Sequence, residues 1–238
     1  MFIIQNIIKT LSLFIILFLY CFTSNSSETD EDLRILENYL NSINNMSFTF
    51  SQVDHKEQKE IGWMQIVKPN KLRIEYKGEN DLIILANSNY LVLYKAKDDI
   101  ITSLSNDGPW NIFTKTNIKV TKDLNNPDAN TVVKNLKKTT IDGKKYASYD
   151  ILIKNIENNF KANILLHASF NPFEIIGWTL FNKNNEIIKI KIIETLGINQ
   201  KDIRPNIFSL TEKNRKEGDV WQGPFKKRPI IRKPKHRN

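Results

Sequence analysis

The segment from Gly62 to Tyr94 constrains the fold most: it contains four short runs, and in the first two, which hold Trp63, Gln65, Val67 and Leu72, Ile74, Tyr76, the residues recur at every second position. Period-two spacing is typical of β-strands. Residues 68–71 separate the first two runs, and they contain a proline and an asparagine that favour chain reversal. Further runs follow at 82–85 and 90–94. The segment is therefore predicted to form a meander of four antiparallel strands.

A helix is predicted ahead of the meander. Thr29 can cap it, and acidic residues in its first turn suit the helix dipole. Apolar residues then recur at spacings of three and four, which predicts a helix of about 14 residues with one apolar stripe. The stripe contains Leu33, Leu36, Leu40 and Ile43. Such a stripe requires a sheet to pack against.

Strand patterns continue on both sides of the meander. Phe48 and Phe50 share one face of a strand before it, and a short strand is predicted at 98–104. The pattern is weak from 118 to 135, and we interpret 130–136 as a helical turn. Later strands are predicted at 146–153, 160–167, 173–181 and 186–196. About ten strands with few helices predict a mainly β fold, a strongly curved antiparallel sheet covered by a helix or a nearly closed barrel.

Residues 1–24 have the features of a secretory signal peptide. An apolar run of about ten residues follows Lys9, too short for the roughly 20 residues that span a bilayer. Cys21, the only cysteine, lies where a bacterial lipoprotein carries its lipidated residue. Tyr20 precedes it, however, where a small residue is preferred, so we interpret Cys21 as part of the signal peptide. The mature domain is predicted at 25–220, without disulfides.

The net charge of +9 comes mostly from the carboxyl terminus. Residues 221–238 contain seven Lys and Arg and no acid, whereas 25–220 is nearly neutral. We predict a disordered basic tail that contacts anionic membrane weakly, or that only increases solubility. Nucleic acid is not an expected partner of an exported chain.

No catalytic or metal-binding pattern is present in the sequence. His55, His167 and His236 lack the spacing of a zinc site, and His167 is interpreted as structural. Glu75 lies near Glu79 and Asp81 and shares a strand face with an arginine, as in a solvated hairpin. We therefore predict a binding protein rather than an enzyme, with no metal and no cofactor.

The order of several short motifs resembles the LolA family of periplasmic outer-membrane lipoprotein carriers. The motifs are Phe48-Thr49-Phe50-Ser51-Gln52, Gly62-Trp63-Met64, residues 68–76, 82–84, 89–94, Trp178-Thr179-Leu180 and Phe208-Ser209-Leu210. The resemblance implies an incomplete, half-open barrel of about eleven antiparallel strands. An N-terminal helix and short lid helices would cover it, over an apolar cavity for acyl chains.

The resemblance also implies roles for individual residues. Trp110, Ile112 and Phe113 would form the lid, and Lys68 and Pro69 the hairpin tip that latches it. The family usually has arginine where this chain has Lys68, so we expect a weaker latch, because lysine is a point charge rather than a planar fork. The predicted cavity residues are Phe48, Phe50, Trp63, Leu72, Ile74, Ile84, Leu91, Leu93 and Trp178.

The function that follows is a monomeric periplasmic carrier. It would accept lipoprotein cargo from an inner-membrane release complex and deliver it to an outer-membrane receptor. Three alternatives remain open: the lipid-anchored receptor of the same pathway if Cys21 is lipidated, an envelope-stress regulator of similar fold, and a secreted hydrolase.

Overall fold

The computed structural model describes residues 28–77, 82–87, 90–95, 97–105, 108–154, 160–181, 186–201, 203 and 205–209. The predicted signal peptide with Cys21, the acidic residues Glu79 and Asp81, and the basic tail lie outside these residues. The chain divides into two compact units, 1–32 and 33–238. Of the first unit, only the opening residues of a helix, 28–32, are described.

The predicted amphipathic helix is present. Helix α1 spans Glu28–Ser42, with acidic residues in its first turn. The residues of its predicted apolar stripe are all buried in the core. A second, four-residue helix, α2, spans Asn111–Thr114, and a 3-10 helix spans Pro205–Phe208. None of the helices in the described ranges is both long and apolar enough to cross a membrane.

In the described ranges, twelve strands form one sheet. They are β1 Asn45–Val53, β2 Lys59–Val67, β3 Lys71–Lys77, β4 Leu82–Asn87, β5 Tyr90–Lys95, β6 Ile100–Ser105, β7 Val120–Thr121, β8 Thr131–Ile141, β9 Lys144–Lys154, β10 Phe160–Ser169, β11 Glu174–Phe181 and β12 Ile187–Ile198. The four meander strands predicted between Gly62 and Tyr94 are β2 to β5. The helical turn predicted at 130–136 is wrong, because residues 131–136 form the start of β8, which pairs with β9.

The strand order is β6-β5-β4-β3-β2-β1-β12-β11-β10-β9-β8-β7. Neighbours are antiparallel except β7 and β8, which are parallel. Within the described residues the edge strands β6 and β7 pair with no further strand, so the curved sheet is an unclosed barrel. The predicted fold class is therefore confirmed, with twelve strands instead of ten or eleven.

Side chains alternate between the two faces of each strand. We call the face that packs against α1 the inner face and the opposite one the outer face. Across the first strands, Phe48 pairs with Met64 and Met64 with Ile74, so these three residues share the inner face. The main core lies between this face, α1 and α2, and a smaller core lies on the outer face.

Candidate functional site

A chain of aromatic contacts crosses the inner face. Phe48 contacts Phe50 and Trp178 edge-on, with ring centroids 6.4 and 5.9 Å apart. Phe50 contacts Tyr76 at 5.6 Å, and Trp178 contacts Phe113 of α2 at 5.1 Å. Edge-to-face contacts at such distances are favourable beyond their buried area. The inner face is therefore a continuous apolar surface that joins β3, β1 and β11 to α2.

Gly62 makes room for this aromatic chain. It lies opposite Phe50 on β1 and Tyr76 on β3. A Cβ at position 62 would lie 2.4 Å from the Phe50 ring, well inside van der Waals contact. The absence of a side chain lets the Phe50 ring lie over the strand and reach Tyr76. The Tyr76 hydroxyl then donates a hydrogen bond to Gln52, at 2.8 Å, and burial raises the pKa of Tyr76.

The predicted lid residues come together over the main core. We call residues 108–114 the lid segment. All four residues of α2 are buried, and Ile112 and Phe113 belong to the main core, against which Trp110 packs. The Trp110 ring folds back over Gly108, where a Cβ would lie 1.9 Å from it. A side chain at 108 would therefore displace the Trp110 ring from this position.

The hairpin tip contacts the lid segment, but not through the predicted group. The backbone N–H of Asn70 donates to the carbonyl of Thr114, at 2.8 Å. Lys68 Nζ instead donates to the carbonyl of Leu40 near the end of α1, at 2.5 Å. In the described structure the Lys68 side chain thus binds α1, and the tip reaches the lid by its main chain. Burial lowers the pKa of Lys68 to about 8.

Eight of the nine predicted cavity residues share the inner face. Phe48, Phe50, Leu72, Ile74, Leu91 and Trp178 are buried in the main core, and Ile84 and Leu93 pack against it with partial exposure. Two polar residues of α1, Glu37 and Asn41, bond the chain at Val120 and Ile118. They were not predicted, because polar side chains on a surface helix give no distinctive pattern.

Trp63, the ninth residue, corrects the prediction. It is fully buried, but on the outer face, where it packs with Ile207 and Phe208 of the 3-10 helix. The reason is the alternation along β2: Met64 pairs with inner-face Phe48, so Trp63 points the other way. Apolar residues on both faces of β2 made the inward side ambiguous in the sequence.

The same outer-face core contains a buried ion pair. Arg73 is fully buried, its Nε lies 2.5 Å from Glu75 Oε1, and its Nη1 donates to the Ile207 carbonyl at 2.6 Å. Burial raises the pKa of Glu75, and the Arg73 guanidinium opposes this rise. The interpretation of Glu75 as part of a solvated hairpin is wrong, since the 3-10 helix covers this face.

The inner apolar face extends past the residues that α1 and α2 bury. Leu104 on β6 pairs with inner-face Leu91, and Ile100 lies on the same side. Leu104 and Ile100 are 48% and 49% exposed. We call these two residues the open strip. Leu104 thus continues the apolar surface of buried Leu91 to the exposed edge strand of the sheet.

His167 lies on the outer face of β10 in a polar contact chain. Its Nδ1 is 3.0 Å from Ser148 Oγ, and its Nε2 is 3.1 Å from Thr179 Oγ1. Burial lowers its pKa, which favours the neutral ring. Both ring nitrogens thus have partners, as expected for the structural role predicted from the sequence.

These features define a class of protein. It has one curved, unclosed, mostly antiparallel sheet whose inner face packs on a helix and a short lid segment, with an apolar strip open at one edge. The family model of the outer membrane lipoprotein carrier protein LolA matches residues 41–211, most of the chain. The chain belongs to this family, which confirms the resemblance found in the sequence.

Solved structures that match the chain share little sequence with it. An uncharacterized conserved protein from Thermus thermophilus is 6% identical, with a TM-score of 0.45 over 79% of this chain and 97% of the other. A LolA superfamily protein from Nitrosomonas europaea is 10% identical, with a TM-score of 0.38 over 75% and 97%.

A putative outer membrane lipoprotein-sorting protein domain from Vibrio parahaemolyticus is 7% identical, with a TM-score of 0.41 over 77% and 94%. A comparison with curated protein sequences finds no match.

Proposed function

We propose that this protein is a periplasmic carrier that binds the acyl chains of lipoproteins on its inner face. It would receive them from an inner-membrane release complex and transfer them to an outer-membrane receptor. Family membership supports the class of function. Such a cycle makes and breaks no covalent bond, so the proposed function is binding.

The observation that carries the proposal is the open strip. Leu104 and Ile100 present apolar surface on the same face as the buried core, beside the partly exposed Leu93. An acyl chain gains about 0.8 kcal/mol for each methylene that it buries. The acyl chain first contacts the open strip. Once the lid segment moves, the acyl chain extends beneath it, to Phe113 and Trp178.

The lid segment suits this role because Ile112 and Phe113, two of the four buried residues of α2, make apolar contacts. Ile112 and Phe113 are buried against the core, and an acyl chain can replace apolar contacts of this kind without leaving polar groups unpaired. The buried polar interactions of Arg73 lie on the other face and are not disturbed.

The test is binding of a synthetic diacylated lipopeptide to the mature protein, measured by isothermal titration calorimetry. Leu104→Glu places a charge on the open strip, and we expect its affinity to fall at least tenfold. The matched control is Ile101→Glu, because Ile101 is 45% exposed on the same strand but points to the outer face. We expect the control to retain affinity within about twofold.

The same peptide without acyl chains should not bind. Equal losses of affinity in Leu104→Glu and Ile101→Glu would contradict the proposal. So would equal binding of the acylated and unacylated peptides by the wild type.

A further inference from the structure

The chain just after the lid segment is hydrogen-bonded along both of its edges. On one edge, Ile118 N–H donates to Asn41 Oδ1 and Ile118 C=O accepts from Asn41 Nδ2, both at 2.8 Å. On the same edge, Val120 N–H donates to Glu37 Oε2 at 2.8 Å. Asn41 and Glu37 both belong to α1. The helix therefore supplies, through side chains, the bonds that a neighbouring strand would supply.

The opposite edge is bonded by the start of β8. Asn130 Oδ1 accepts from Lys119 N–H and Asn130 Nδ2 donates to the carbonyl of Asn117, both at 3.0 Å. The N–H of Thr131 donates to the Lys119 carbonyl at 3.1 Å. The backbone groups of Ile118 and Val120 thus bond to α1, and those of Asn117 and Lys119 bond to Asn130 and Thr131. Over residues 118–120 the two edges alternate as in an extended strand.

The spacing of Glu37 and Asn41 matches this edge. Four helical residues advance about 6 Å along the axis, and two strand residues advance about 6.6 Å. One turn of α1 therefore presents its two side chains in register with Ile118 and Val120. Two side chains that satisfy three backbone groups form a specific contact.

Other bonds also hold the carboxyl side of the lid segment. The Thr114 carbonyl accepts from Asn70 N–H at 2.8 Å, and Lys115 Nζ donates to the Lys154 carbonyl at 3.0 Å. Together with the bonds of Asn41 and Glu37, these contacts join residues 114–120 to the hairpin tip, α1, β8 and β9. We call residues 114–120 the lid root.

We propose that Asn41 and Glu37 are positioning residues that hold the lid root against α1, so that α2 opens and closes about a fixed end. Asn41 and Glu37 then set the rate at which acyl chains enter and leave, without touching them. This inference deepens the proposed function and rests on it for its link to acyl chains. The hydrogen-bond arrangement itself does not depend on the ligand.

Hydrogen–deuterium exchange of the full mature chain, read by mass spectrometry, tests the inference. In Asn41→Ala, we expect exchange of amides in residues 111–120 to increase at least tenfold, with exchange in β1 to β3 unchanged. Asn41→Asp keeps an acceptor for Ile118 N–H but loses the donor, so its exchange should lie between wild type and Asn41→Ala.

Ser42→Ala is the matched control. Ser42 is the next residue of α1, and its hydroxyl bonds locally, to the Tyr39 carbonyl at 2.8 Å. We expect its exchange to equal that of the wild type. Increased exchange throughout the sheet in Asn41→Ala and Asn41→Asp, or no increase at 111–120 in either, would overturn the proposal.

The second readout is dissociation of the diacylated lipopeptide, followed by stopped-flow fluorescence. Asn41→Ala should release it at least fivefold faster than the wild type and Ser42→Ala. An unchanged release rate would overturn the role in acyl exchange. If the wild type binds no lipopeptide, the proposed function fails, while the exchange experiment still decides whether Asn41 holds the lid root.

Discussion

The two faces of strands β2 and β3 are both buried, but in different ways. On the inner face, Leu72 and Ile74 pack in an apolar core below a short helix with buried apolar side chains. On the outer face, a 3-10 helix packs on Trp63 and is also bonded by Arg73, which pairs with Glu75. Apolar contacts can be exchanged for those of a ligand, whereas a buried charge requires its particular partners. Under the proposed function, we expect the outer cover to stay in place and the contacts of the lid segment to be exchanged for those of the ligand.

The largest expected effect comes from truncating one aromatic residue on each face. Phe48→Ala and Trp63→Ala should each lower the free energy of unfolding by about 4 kcal/mol, because both side chains are fully buried. Urea denaturation measures this loss. Only Phe48→Ala should weaken lipopeptide binding among molecules that remain folded. A similar loss of binding in Trp63→Ala would remove the distinction between the faces.

The next effect concerns the outer ion pair. Arg73→Met should lower the free energy of unfolding by about 3 kcal/mol, since it leaves a buried carboxylate and the Ile207 carbonyl without their donor. The double variant Arg73→Met/Glu75→Met should recover more than half of this loss, because no charge is then buried. Urea denaturation of the two variants and of Glu75→Met completes the cycle. Additive losses would show that the pair is not coupled.

The smallest effect concerns pH at the hairpin tip. Burial lowers the pKa of Lys68 from 10.5 to about 8. Between these values the folded state binds fewer protons than the unfolded state, so Lys68 makes stability rise with pH above about 8. Melting temperatures at pH 7.5 and 9.5 should therefore differ between wild type and Lys68→Met, the wild type gaining relative to the variant. If the melting temperatures of wild type and Lys68→Met changed equally between the two pH values, folding would not lower the pKa of Lys68.

Much of the fold could be predicted because local patterns determined it. Period-two runs located β2 and β3, and continuous apolar runs located β4 and β5. The Pro69-Asn70 turn matches the positive φ of 59° at Asn70. Strand β8 was missed in part because only its first residues are buried, while most of the others are exposed and polar. A strand with little buried area gives a weak apolar pattern.

The site was predicted less completely, since it depends on which way each strand faces. Trp63 and Met64 are adjacent, both are apolar and both are buried, so only the pairing of Met64 with Phe48 assigns the faces. The contact of Lys68 with Leu40 depends on the position of α1 beside the hairpin tip. Neither relation is local in sequence, so neither could be read from spacing.

The order of the strands has a consequence for folding. Strands that are neighbours in the sheet are also consecutive in the sequence, except β1 and β12, which are the first and last strands. During synthesis β1 is made first, and its second partner is completed only with Ile198. Until then Phe48 and Phe50 lie on a strand with an unpaired edge, a known site of aggregation. We therefore expect closure of the β1–β12 ladder to be a slow, nonlocal step of folding.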